Sequence, residues 1–193
     1  MEARIVFAPV THVAAEAVCT RLVYKSSGEL FDNWQDLSAN RDIIQAVGMN
    51  FHNQVFGLRF SPRDRPVFVV SDTQVGRSPV KKVIFHAVRG GYTDDTGSYM
   101  YWMDAADNNN IASIVLPLTI APDFTYEWSE PESEDQLRQT LLTYVVSAYS
   151  AYAANWNKQR LRSVCFAIEP RLQMFEGDVM QIWREAVRRD AEG

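Results

Sequence analysis

Cysteine is almost missing from this chain: Cys19 and Cys165 are the two it has. Two thiolates alone cannot close a tetrahedral zinc site. Each lies in an apolar, strand-like run, so two buried free thiols in a reducing compartment are expected. Histidine is nearly as sparse. His12, His52 and His86 are far apart and no pair has metal-ligand spacing, so each is expected on the surface or satisfied within the fold. No Gly-x-Ser-x-Gly elbow, P-loop or dinucleotide fingerprint occurs. No apolar run approaches the ~18 residues of a membrane span, and the first residues carry no secretory pattern. The expected setting is cytoplasmic or nuclear, without membrane contact. Positive charge is in deficit too. Lys and Arg number 19 against 24 Asp and Glu, and the net charge of −5 weighs against a broad nucleic-acid surface.

What the chain does contain is a series of short apolar runs in α/β order. Those at 113–116 and 163–168 each follow a helix-like segment, which is how a parallel sheet is written in sequence. The length suits one domain over residues 1–193 with a substantial core. Strands are expected at 4–10, at the end of 13–23, and at 67–70, 83–88, 111–116 and 164–168. Helical spacing of Ile43, Ile44, Val47, Phe51 and Val55 predicts a helix over 40–56. Tyr99, Trp102, Met103 and Ala106 mark one over 98–107. Leu137, Leu141, Val145, Ala148, Tyr152 and Trp156 mark the longest, over 132–156. A last helix is expected over 178–189, and 31–38 reads as a loop or short helix. Glu130, Glu132, Glu134 and Asp135 crowd the start of the long helix, while Arg184, Arg188 and Arg189 crowd the end of the last. Both match the helix dipole. Right-handed crossovers then predict a three-layer α/β/α sandwich around a mixed, mostly parallel sheet.

The loop Gly90-Gly91-Tyr92-Thr93-Asp94-Asp95 follows a strand's carboxyl end, where open α/β sheets place ligands. Asp94 and Asp95 suit a cation or acid–base chemistry, or they cap the next helix with Thr96 and Ser98. Phe124, Tyr126, Trp128, Tyr92, Tyr99 and Trp102 either line a crevice or pack in the core. Arg59, Arg63, Arg65, Arg77, Lys81 and Lys82 form a basic face or are solvated turn charges.

The wording of several runs resembles the macrodomain family, whose fold is best known for binding ADP-ribose. His86-Ala87-Val88 matches its His-Ala/Thr-Val signature, and Ser113-Ile114-Val115-Leu116-Pro117 its Ser-Ile-Ala-Phe-Pro strand. Residues 161–167 and 174–187 resemble its last strand and helix. The ligand motifs differ. Ala8-Pro9-Val10-Thr11 stands where the family has Gly-Asp-Ile-Thr, so Pro9 replaces the aspartate that binds adenine. Thr20 and Val23 replace the two asparagines, the second of which lies near the distal ribose in hydrolytic members. Thr119 to Tyr126 stands where the family has a glycine-rich phosphate loop. There Pro122 offers no N–H, Asp123 puts a negative charge beside an anion, and Phe124 keeps the aromatic.

The resemblance implies three readings. The first is a non-catalytic binding or scaffolding module with a degenerate crevice, acting through a protein partner. The second is a reader or hydrolase for ADP-ribose or a related nucleotide in a rearranged pocket, with Val88, Gly90, Gly91, Asp123, Phe124 and Tyr126 as ligand-binding residues. The third is a nucleic-acid-binding module of a viral polyprotein, which the charge disfavours. No catalytic residue, metal or cofactor is assigned.

Overall fold

The apolar runs pair as their order predicts. In the computed structural model, which describes residues 1–30, 38–47, 55, 67–71, 82–90, 95–118 and 133–192, six strands form one sheet. They are β1 (Glu2–Phe7), β2 (Ala17–Tyr24), β3 (Val67–Ser71), β4 (Lys82–Arg89), β5 (Ser113–Pro117) and β6 (Ser163–Ile168). Their order is β1-β6-β5-β2-β4-β3. Five strands are parallel, and β3 closes one edge antiparallel to β4. A sheet covered on both faces needs strands that are apolar throughout, and β2, β4 and β6 are buried along nearly their whole length.

Among the described residues, four α-helices supply the layers: α1 (Ser38–Val47), α2 (Asp95–Asn108), α3 (Glu134–Asn155) and α4 (Glu176–Glu192). Side chains that alternate along the strands separate two cores. Ile114, Leu116, Val164 and Phe166 meet Tyr99, Trp102, Val145, Ala148, Val179 and Trp183 of α2, α3 and α4. Val18, Leu22, Val83 and Phe85 meet Ala39 and Ile43 of α1 on the opposite face. Cys19 and Cys165 are free and buried on opposite faces of the sheet, as inert core thiols. Burial pushes both thiols up from their ordinary value. No helix among the described residues is long and apolar enough to cross a membrane.

Three departures from expectation have a local setting. The first strand ends at Phe7 because Pro9 brings no N–H to the ladder, and Val10–His12 turns into a 3-10 helix. Ile111 closes the turn after α2 and lies outside β5. Asn110 has φ 58° and the Ile111 N–H closes onto the Ala106 carbonyl at 2.9 Å, a left-handed helix termination. Before α4, residues Pro170–Phe175 form a 3-10 turn that the apolar pattern did not announce. The loop reading of 31–38 falls outside the described residues except for Ser38, which starts α1.

Candidate functional site

β2 follows β5 for two residue pairs, Ala17–Ile114 and Val18–Val115, and then leaves it. β2 stays paired with β4 to Tyr24–Arg89, and β5 stays paired with β6 to Pro117–Ala167. The sheet therefore splits between β2 and β5 toward its carboxyl end. These strands lead to helices on opposite faces, which makes the split the topological switch point of the sheet. Asn40 of α1, 1% exposed, enters beside the split strand. Its Nδ2 donates to the Arg21 carbonyl at 3.1 Å, and its Oδ1 accepts from Thr20 Oγ1 at 2.6 Å.

A cleft of about 210 Å³ opens at the same end of the sheet. Its walls come from residues that follow β1 (Ala8, Pro9, Val10), end β5 (Pro117) or close β6 (Ala167, Glu169, Pro170, Arg171), together with Arg41 and Asp42 of α1. Three prolines make flat walls without N–H donors. The charged groups are mixed. Arg171 Nε donates to Glu169 Oε2 at 2.6 Å. Burial raises the Asp42 carboxyl above its usual range. The Val10 N–H bonded to it, His12 and Arg41 pull it down, and Glu169 pushes it up. Asp42 is thus an acceptor beside the Val10 N–H in a partly dry site.

On the face opposite α1, Arg21 is 5% exposed, His86 2% and Ser98 not at all. Ser98 Oγ accepts from Arg21 Nη2 at 2.7 Å and Nε at 3.2 Å, and lies 2.8 Å from His86 Nδ1. A serine and a histidine at this distance suggest nucleophile and base. The oxygen here is sealed from solvent and already takes two guanidinium donors, so it is a structural hub and not a nucleophile. His86 is satisfied within the fold as expected.

The sequence-nominated residues divide. Val88 is buried and Gly90 donates its N–H to the Tyr24 carbonyl at 3.0 Å at the end of β4, so neither lines the cleft. Gly91, Asp123, Phe124 and Tyr126 lie outside the described residues, as do Asp94, Tyr92, Trp128 and His52. Tyr99 and Trp102 are fully buried, so for these two the core reading holds. Of the basic residues grouped as a face, Lys82 is the one described, and it pairs with Glu16 at 2.9 Å. Arg41, Asp42, Glu169 and Arg171 were not nominated. The signal that finds three of the cleft's walls is position, directly at or after the carboxyl ends of parallel strands.

Comparison with solved structures gives the fold's relatives. A mutant of the Oceanobacillus iheyensis macrodomain superposes with a TM-score of 0.54 at 14% identity, over 98% of this chain and 93% of that one. The same macrodomain with ADP gives 0.53 at 14% identity, over 98% and 92%. A structure of three main domains of coronavirus nonstructural protein 3 gives 0.56 at 8% identity, over 96% of this chain and 36% of that one. No family model matches the sequence. No curated protein matches it either.

Proposed function

The chain has the macrodomain fold, and on that premise we propose that it is a non-catalytic binding module whose cleft receives the base end of a nucleotide of the ADP-ribose class. One observation carries this reading: a half-buried carboxylate, Asp42, stands in a cleft whose flat walls are Pro9, Pro117 and Pro170. Flat apolar walls suit a planar ring, and an acceptor at the edge suits an exocyclic amine. Arg41 and Arg171 on the rim suit a phosphate. About 210 Å³ is below the ~300 Å³ at which whole-ligand pockets begin, so the cleft takes a ring and not an entire dinucleotide. A similar macrodomain has been solved with ADP and a mutant of it with ADPR.

Binding without turnover is the reading favoured by Val23. It stands where the resemblance places the asparagine near the distal ribose, and its side chain has neither donor nor acceptor. The nucleic-acid reading loses Lys82 to its ion pair with Glu16. Two buried free thiols suit an intracellular setting.

The test is thermal melting with ADP-ribose, ADP or ribose 5-phosphate. ADP-ribose and ADP raise Tm with concentration as RT ln(1 + [L]/Kd), while ribose 5-phosphate leaves it unmoved. Asp42→Ala abolishes the shift, and Phe124→Ala tests the aromatic that the resemblance nominates. No shift with either nucleotide overturns the reading, and release of free ADP-ribose from a modified protein would overturn its non-catalytic part.

A further inference from the structure

β1 is an edge strand: it pairs with β6 on one side, and among the described residues no strand pairs with the other. The register says which groups it leaves open. The Glu2 N–H donates to the Arg162 carbonyl at 2.8 Å, so Glu2, Arg4 and Val6 turn their backbone N–H and C=O toward β6. Ala3, Ile5 and Phe7 therefore turn theirs outward, as an unused ladder. The side chains alternate as well. Ala3, Ile5 and Phe7 pack on the core under α3 and α4, while Val6 packs on the core of the opposite face. Glu2 and Arg4 share the face of Val6 and are exposed.

An open edge is commonly guarded by charge that repels a second copy. This edge carries both signs, two residues apart on one face, and that decides how a copy fits. A two-fold axis normal to the sheet lays β1 antiparallel to the β1 of a second copy, with like faces together. The axis can pass at Ala3, Arg4 or Ile5. At Arg4, the guanidinium meets its own copy in a non-hydrogen-bonded pair, with Cα atoms about 4.5 Å apart, and like charges there are repulsive. At Ile5, Arg4 faces Val6 and gains nothing. At Ala3, Glu2 of each copy stands directly opposite Arg4 of the other, twice, in the pairs where side chains come closest. Ala3, the smallest side chain of the strand, then meets itself at the axis. The Arg4 guanidinium also lies beside the Cys165 thiol, and its five N–H donors leave others for a carboxylate.

We propose that the outer edge of β1 takes the β1 of a second copy, antiparallel about a two-fold axis at Ala3, so that two sheets join into one. The Ala3 N–H and C=O of each copy close the central hydrogen bonds, and the Glu2–Arg4 pairs flank them. The Met1 carbonyl takes the Tyr152 hydroxyl at 2.8 Å, and its second lone pair meets the Ile5 N–H of the other copy. The paired edge covers residues 1–5, a length of about 17 Å. Its contact is far smaller than the ~800 Å² per partner of a standard stable interface, so the dimer is weak and concentration-dependent.

Sedimentation equilibrium between about 10 μM and 1 mM is the experiment, since mass action makes the average mass climb toward the dimer. Glu2→Arg alone sets arginine against arginine, and Arg4→Glu alone sets glutamate against glutamate. Each raises the dissociation constant about 10-fold. The two single variants, mixed in equal amounts, associate with each other, because every charge then meets its opposite. Ala3→Pro removes the central N–H and no bond to β6, so far-UV dichroism and Tm show the fold kept while the dimer is lost. A parent that stays monomeric at all concentrations overturns the proposal, and so does a dimer that Ala3→Pro leaves intact. A mixture of the two charge variants that stays monomeric overturns the register at Ala3.

Discussion

At the scale of single residues, the polar groups of β2 show how far a side chain's role depends on which face it reaches. Thr20 and Arg21 are neighbours, but one bonds Asn40 under α1 and the other Ser98 under α2. Arg21 joins both, since its carbonyl accepts from Asn40 and its guanidinium donates to Ser98. Asp42, two residues after Asn40, is held at the cleft by the same first turns of α1. Its carboxyl is raised mainly by burial, so between the ordinary aspartate value and the raised one the folded state holds more protons than the unfolded state. Stability from this group therefore falls as pH rises through that window and is then level. Asp42→Asn keeps an acceptor for Val10 and removes the charge. In urea titrations from about pH 4 to pH 7, the variant gains on the parent as pH rises and is at least as stable at the upper end. A parent that gains on the variant instead shows the anion to be the favoured form, and Asp42 would then be ion-paired and not partly dry. Nucleotide binding through an ionised Asp42 strengthens over the same window.

At the scale of elements, α3 shows which features a sequence reveals and which it hides. Its span was legible because Leu141, Val145 and Ala148 repeat on one buried stripe. Its start is set by a residue the apolar pattern does not mark. Ser133 accepts from the Gln136 N–H at 3.3 Å, and Gln136 Oε1 accepts the Ser133 N–H at 3.0 Å, a reciprocal capping box. Ser133→Ala should cost about 1 kcal/mol, read as a lower urea midpoint with unchanged slope. A loss below about 0.2 kcal/mol would show the box to be ornamental. The strands were legible for a similar reason, since burial on both faces forces unbroken apolar runs. Their edges were not, where Asn110 ends α2 in a left-handed turn and Pro9 stops β1. The cleft was the least legible. Ala8, Pro117 and Glu169 are distant in sequence and meet because β1, β5 and β6 run parallel side by side. Arg41 and Asp42 arrive on a helix from elsewhere. Reading families of motifs directed attention to residues 119–126, whereas the described walls stand at the ends of strands.

At the scale of the whole molecule, β5 and β6 serve both the cleft and the core beneath α3. Pro117 and Ala167 reach the cleft, while Ile114, Leu116, Val164 and Phe166 form the floor on which α3 lies. Shared strands do not by themselves couple two sites. Coupling requires an element with two arrangements, whose balance each ligand shifts. The floor offers none among the described residues: β5 and β6 are paired in register from Ser113–Ser163 to Pro117–Ala167. Phe166 is locked between the rings of Tyr99 and Trp183, at 5.8 Å from each. Close-packed interiors transmit displacement, but the outer stripe of α3 is separated from the cleft by the whole helix and the sheet. The ligand-induced melting shift should therefore be the same in the parent and in Val146→Arg, a substitution on the exposed face of α3, with a coupling free energy under about 0.5 kcal/mol. A shift that shrinks in the variant would mean that β5, β6 and α3 move as one two-state unit. The place to look for its alternative packing is then the aromatic contact of Phe166 with Trp183.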